Sequence, residues 1–322
     1  MNLVEPLLCL FSIGLLLFVL LAMASPLEAL GWWSGWSKRQ VASARPSESA
    51  ILPTPASDAD FFIVYLTAIG GISADDISKR ELTFLAHLQA QAPTAEIIHD
   101  VFPFSVTNNP LNGERQLSWL WQKIHNTRMG GKKSFVSTLI FVRNLLQVGV
   151  SSDPRYGPIY NVGVAREIAL SLLRNGYRPA SGKPITVMGW SGGGQIAVGV
   201  VPYLHQALDA PVYVVSVGGV MADDPGVVFM EHMLHLQSAK DKIPDIGKLL
   251  FPGRWPMVRY SGWNQALADG RITIIDPGPM IHTGRGDYFD YKAKLPDGRT
   301  HVEKTTALIG EFIRQQVPAP TA

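Results

Sequence analysis

Cysteine is almost missing from this chain. Of 322 residues the only one is Cys9, inside an apolar N-terminal run. No internal disulfide can form and no thiolate zinc site can be built, so the fold has to hold by burial of its core. Charge is sparse as well, with 17% Asp, Glu, Lys and Arg and a net value of +2. No dense Lys/Arg run occurs, which argues against nucleic-acid binding, because phosphate contacts need clustered cations. There is no dinucleotide fingerprint, phosphate loop, metal cluster or internal repeat, and Gly70-Gly71 alone makes neither glycine motif. The sequence therefore implies no cofactor and no metal.

What is present begins with the residues around that cysteine. From Leu7 to Ala24 the chain reads LLCLFSIGLLLFVLLAMA, eighteen residues without a charge. At 1.5 Å per residue a helix of this length covers about 27 Å, just enough to cross a hydrocarbon core. Ala22-Met23-Ala24 offers an A-x-A-like cleavage site, the mark of a signal peptide. Against cleavage, the residues before the run hold Glu5 and no Lys or Arg, and the run exceeds a usual signal core. A retained single-pass anchor is expected, with residues 1–36 as anchor and interface segment. Trp32, Trp33 and Trp36 follow, either as rings at the membrane interface or as an apolar patch docked on the domain. Lys38, Arg39 and Arg45 all lie after the segment, which leans the C-terminal domain toward the cytoplasmic side.

Residues 37–58 are rich in Ser, Ala and Pro and read as a linker. Residues 59–322 suit one domain. Within it, strand patterns at 61–67, 95–102, 184–190, 211–218, 233–238 and 271–277 alternate with helical patterns at 76–92, 164–177, 194–208 and 301–316. Such alternation predicts an α/β fold, a mostly parallel sheet of about six strands with helices on both faces. Residues 103–158 interrupt the rhythm with two further helical patterns, 113–129 and 134–150. An insertion of this length serves as a lid, a binding surface or packing.

Gly189-Trp190-Ser191-Gly192-Gly193 matches G-x-S-x-G, directly after the most apolar short strand and at the opening of a helix. A serine in so sharp a turn needs small neighbours, and the glycines provide the room. The turn lifts Oγ above the sheet and aims the Gly192 amide at a developing oxyanion.

On the strand order and this elbow, residues 60–316 resemble the α/β-hydrolase superfamily. The resemblance implies a reduced version of that fold, since the two antiparallel strands that usually precede the first strand here are missing. It implies catalytic partners in the order Ser, Asp or Glu, His, on loops after later strands. His282 in DPGPMIHTGRGDY is the expected histidine; His205, His232, His235 and His301 sit within or beside helices and strands. Asp241 is the expected acid, because similar G-x-x-D-x-(V/I)-P turns carry it in many members, although Ser238 stands here where glycine is usual. Asp276 is the reserve, followed by Asp223 and Asp224. A second oxyanion amide is expected from the loop after the first strand, at Ile69 or Gly70. Arg285-Gly286-Asp287 reads as a loop turn.

These residues predict a membrane-anchored serine hydrolase that cleaves a carboxylic ester or thioester, with lipid favoured by the bilayer partner. Acyl transfer on the same residues, or a non-catalytic membrane scaffold, are the alternatives. Epoxide and haloalkane hydrolysis are disfavoured, since those branches carry aspartate where Ser191 stands.

Overall fold

Six short, largely apolar runs pair into one parallel sheet in the computed structural model, which describes residues 4–34, 55–108 and 135–316. The strands are β1 (Phe61–Leu66), β2 (Ala95–Ile98), β3 (Ile185–Trp190), β4 (Val212–Val217), β5 (Met233–Leu236) and β6 (Ile272–Ile275). Their order is β2-β1-β3-β4-β5-β6, and each pairing is parallel. β1 is buried throughout and β3 at all but its last residue, as strands covered on both faces must be.

The helices in chain order are α1 (Val4–Ala24), α2 (Leu27–Trp33), α3 (Lys79–Gln91), α4 (Phe135–Ser152), α5 (Gly157–Arg174), α6 (Gly192–Gly199), α7 (Val201–Leu208), α8 (Gly226–Phe229), α9 (Asp245–Leu250), α10 (Gly262–Ala268) and α11 (His301–Arg314). They divide the core in two. Tyr160, Val164 and Ile168 of α5 pack with Ile196 and Val201 on one side of the sheet. Phe84 and Leu88 of α3 pack with Val302 and Ile309 of α11 on the other. The architecture is α/β, with helices around a six-stranded parallel sheet.

Several boundaries differ from the sequence pattern for local reasons. β2 stops at Ile98 because Asn108 takes over the next backbone groups, accepting from Phe102 N and donating to Asp100 O. α3 starts at Lys79 because Ser78 and Glu81 form a reciprocal capping box. The single helix expected over 194–208 divides at Val200 into α6 and α7. Pro202 has no N–H for the Val198 carbonyl, so the helical ladder cannot run through. The helical pattern at 113–129 lies outside the described residues.

At the N-terminus, the stretch Glu5–Trp33 is long and apolar enough to cross a membrane, a signature that a signal sequence shares. Its side chains stand exposed, Leu7 at 64% and Phe11 at 69%. α2 behaves differently. Ala29 is buried in the domain core and Trp32 packs against it, whereas Trp33 faces outward. Trp36, Lys38, Arg39 and Arg45 lie outside the described residues.

Candidate active site

From β1 the chain runs outward to β2, while β3 lies on the other side of β1 and the rest of the sheet grows away from it. The loops that leave β1 and β3 therefore diverge, and a crevice opens between them at the carboxyl end of the sheet. Because Leu66 is in register with Gly189, the loop after β1 lies beside the turn after β3. That turn holds Ser191 at φ 54°, ψ −122°, a region sparsely used by residues with a Cβ. Ser191 N donates to Val217 O at 3.0 Å, and Gly194 N donates to Ser191 O at 3.0 Å. A Cβ at Gly189 would lie 2.2 Å from the Gly193 carbonyl, and one at Gly193 2.7 Å from Leu66 O. Only glycine lets strand and helix approach this closely.

Ser191 Oγ is 2.8 Å from His282 Nε2, and His282 Nδ1 is 2.8 Å from Asp241 Oδ2. With its Nδ1–H donated to the carboxylate, the imidazole presents Nε2 as an acceptor to the serine hydroxyl. Asp241 is 2% exposed and Ser191 6%. Two more donors fix the carboxylate: Ile243 N reaches Oδ1 at 3.0 Å and the Tyr288 hydroxyl reaches Oδ2 at 3.0 Å. Burial pushes the Tyr288 phenol well above its ordinary pKa, which keeps it a donor. That same hydroxyl accepts from Ser238 N. Ser238 Oγ donates to Gly278 O at 2.7 Å and accepts from Met280 N at 3.0 Å. Ser238 thus ties the Asp241 turn to the His282 loop.

Other candidates have different duties. Asp276 closes its own turn, accepting from Gly278 N and Ala239 N. Asp224 accepts from Gln195 Nε2 and Gly226 N, and burial lifts its carboxyl to about 6. Asp223 lies against Gly253. His205 bonds Ala210 O, His232 bonds Thr273, His235 bonds Ser216, and His301 bonds the carbonyls of Gly286 and Asp287. Asp287 is buried, paired with Arg80, and accepts from Gly284 N and Phe289 N, so the Arg285-Gly286-Asp287 segment is a turn.

The residues expected to face an oxyanion lie together. Gly192 is the first residue of α6, where helical N–H groups have no partner within the helix. A Cβ on it would come 2.6 Å from Ile69 Cγ2 and 2.8 Å from Val148 Cγ2. Ile69 and Gly70 thus border the same opening as Ser191. Asn144 of α4, fully buried, donates through Nδ2 to Ile69 O at 2.9 Å and Gly71 O at 2.8 Å.

A cavity of about 830 Å³ ends at Ser191 and His282. Ile69, Phe141, Leu145, Val148, Ile246 and Leu250 form an apolar wall, so the described part of the inserted segment lines this space. Glu81 also borders it, but its carboxylate accepts from Tyr65, Thr67 and Ser78 N. Among the described residues no cluster of His, Cys, Asp and Glu could hold a metal ion.

Sequence reasoning missed Tyr288 and Asn144. Tyr288 sits six residues after His282 in a segment already singled out, but nothing in its spacing marks an acid partner. Asn144 lies in an apolar helical pattern, where a lone amide gives no hint of its target. No protein-family model matches the chain, and no curated protein matches it.

Proposed function

We propose that this chain is a serine hydrolase of the α/β-hydrolase type, which cleaves a carboxylic ester or thioester through an acyl-enzyme on Ser191. The observation that carries this reading is the unbroken chain Asp241–His282–Ser191, both links 2.8 Å, ending in an apolar cavity. The elbow after β3, the sheet order and the sequence order Ser, Asp, His support the superfamily reading.

In the first half-reaction Ser191 Oγ forms a bond to the acyl carbon while His282 Nε2 takes the hydroxyl proton. The carbonyl oxygen becomes an oxyanion facing the Gly192 amide and the 68–71 loop. The intermediate collapses, the bond to the leaving oxygen or sulfur breaks, and His282 returns the proton to that group. Water then attacks the acyl-enzyme with His282 as base, releasing a carboxylic acid and restoring the serine. Asp241 holds the imidazole tautomer and stabilises the imidazolium.

The apolar wall fits the hydrocarbon part of an acyl group. The apolar N-terminal helix supports a membrane lipid as the source of that group, with the domain on the cytoplasmic side by the cation bias after the helix. The test is labelling of the full chain in detergent with a fluorophosphonate, followed by a panel of acyl esters of increasing length. Wild type should be labelled and Ser191→Ala should not, because only a base-activated hydroxyl attacks the reagent. Equal labelling of both would place the nucleophile elsewhere, and no labelling of wild type would leave a non-catalytic scaffold.

A further inference from the structure

Helix α4 touches three things within about two turns. Val148 packs over Gly192, Asn144 binds the loop after β1, and Arg143 with Gln147 reaches the corner between α1 and α2. The contacts join end to end. Asn144 uses Nδ2 on two carbonyls, Ile69 O and Gly71 O, so its amide can face only one way. Arg143 enforces that choice by donating to Asn144 Oδ1 at 2.9 Å. The guanidinium is itself fixed, donating to Phe104 O at 2.7 Å and to Glu28 Oε2 at 2.6 Å. Glu28 belongs to α2, the helix directly after the apolar one, and Ser105 Oγ donates to its other oxygen at 3.3 Å. Gln147 Nε2 reaches Ser25 O at 3.2 Å, so the corner itself is fastened to α4.

We propose that Asn144 is the positioning residue for the oxyanion loop, and that Glu28, acting through Arg143, makes the aim of that loop depend on the docking of α2. This rests on the serine-hydrolase reading above. The physical reason is peptide planarity. The carbonyl of Ile69 and the N–H of Gly70 belong to one rigid trans unit, so fixing the first fixes the direction of the second. A loop with two adjacent glycines has little stiffness of its own, and oxyanion donors act only when aimed before the reaction. Helix α2 is then part of the catalytic architecture.

The test uses the full chain in detergent with a soluble short-chain ester. Active sites are counted by fluorophosphonate end point, and inhibition by a trifluoromethyl ketone mimics the oxyanion. Asn144→Asp keeps the shape but turns an oxygen toward two carbonyl oxygens. It should lower kcat about 100-fold with KM little changed, and ketone affinity should fall in parallel. Glu28→Gln, which weakens a charge-assisted bond without removing it, should lower kcat and ketone affinity by a smaller factor in the same ratio. Wild-type kcat in Asn144→Asp, or a loss confined to KM, overturns the proposal. A loss in Asn144→Asp with none in Glu28→Gln overturns the dependence on α2. If Asn144→Asp does not fold, Asn144→Ala, which loses both donations without adding charge, decides by the same readout. Failure of the serine-hydrolase reading shows separately, as a wild type that binds no fluorophosphonate at all.

Discussion

Tyr288 donates to Asp241 Oδ2 at 3.0 Å, the oxygen that also accepts from His282 Nδ1 at 2.8 Å. With Ile243 N on Oδ1, the carboxylate has donors on both oxygens and cannot turn away from the imidazole. The phenol is in turn held by Ser238 N, and Ser238 Oγ holds the loop that carries His282. Acid and histidine come from loops after β5 and β6, and this tyrosine and serine lock the loops to each other.

The proposed role of Asp241 as the acid makes a graded prediction. Asp241→Asn should reduce kcat about 10⁴-fold by favouring the wrong imidazole tautomer, against about 10⁶-fold for Ser191→Ala or His282→Ala. Tyr288→Phe should cost much less in rate and about 1 to 3 kcal/mol in stability, since it leaves Ser238 N without its acceptor. Asp276→Asn should keep kcat, because its bonds go to Gly278 N and Ala239 N. Full activity in Asp241→Asn with loss in Asp276→Asn would move the acid to Asp276. Ester kinetics on the five variants decide it.

Gly218, just after β4, has φ 58°, and a Cβ there would stand 3.0 Å from Asp241 Oδ2, 3.0 Å from Tyr288 Cε2 and 3.4 Å from His282 Nδ1. Gly218→Ala should therefore act twice. The left-handed backbone costs about 1 to 2 kcal/mol for alanine, and the methyl pushes against the acid–histidine pair. A lower Tm together with a kcat loss larger than that of a surface Gly270→Ala control is expected. An unchanged kcat would mean that the pair tolerates displacement.

The sheet, the elbow and the loops bearing Asp241 and His282 were legible because each rests on local pattern. Apolar runs mark the strands, G-x-S-x-G marks the turn, and a loop after a late strand is a short list of residues. What stayed hidden depends on contacts across the chain. Tyr288 and Ser238 meet only because β5 and β6 are neighbours. Asn144 finds Ile69 across 75 positions, and no periodicity predicts where one amide in an apolar helix will point. The break between α6 and α7 was legible in principle, since Pro202 removes an N–H that a continuous helix requires. The docking of α2 was not, because a tryptophan cluster after an apolar helix fits a membrane interface as well as a protein core.

His235 gives a prediction in pH. It is fully buried, and burial with the nearby Arg254 charge lowers its pKa to about 3 from 6.5. Between those values the unfolded chain binds the proton and the folded one does not, so stability falls as pH drops through this window. From about pH 7 to about pH 5 the loss is on the order of 2 kcal/mol. Asp224, whose carboxyl is raised to about 6, works in the opposite direction as pH falls below that value. The two are separated by comparing wild type with His235→Asn, which keeps a polar group for Ser216 but does not titrate. The stability difference between them should shrink by about 2 kcal/mol on acidification, read from Tm at each pH. A difference independent of pH would place the histidine proton elsewhere.

The N-terminus allows a test by two truncations. Read from sequence, a chain beginning near Ala59 should hydrolyse small soluble esters normally but lose efficiency on membrane lipids. The docking of α2 changes that expectation. Starting at Ala59 removes Ala29 from the core, Trp32 from its packing and Glu28 from Arg143. The loss is on the order of 3 kcal/mol, a drop in Tm of about 5 to 10 °C. Starting at Ser25 removes α1 alone and leaves α2 seated. That chain should keep wild-type Tm and soluble-ester kcat, yet be extracted by alkaline carbonate, whereas the full chain stays in the membrane fraction if α1 is a retained anchor. Ser25 is also the residue that signal cleavage after Ala24 would expose, so N-terminal sequencing of the mature protein chooses between anchor and signal without disturbing the site. Equal Tm and equal kcat for the chains beginning at Ser25 and at Ala59 would show that α2 contributes nothing to the fold or to catalysis.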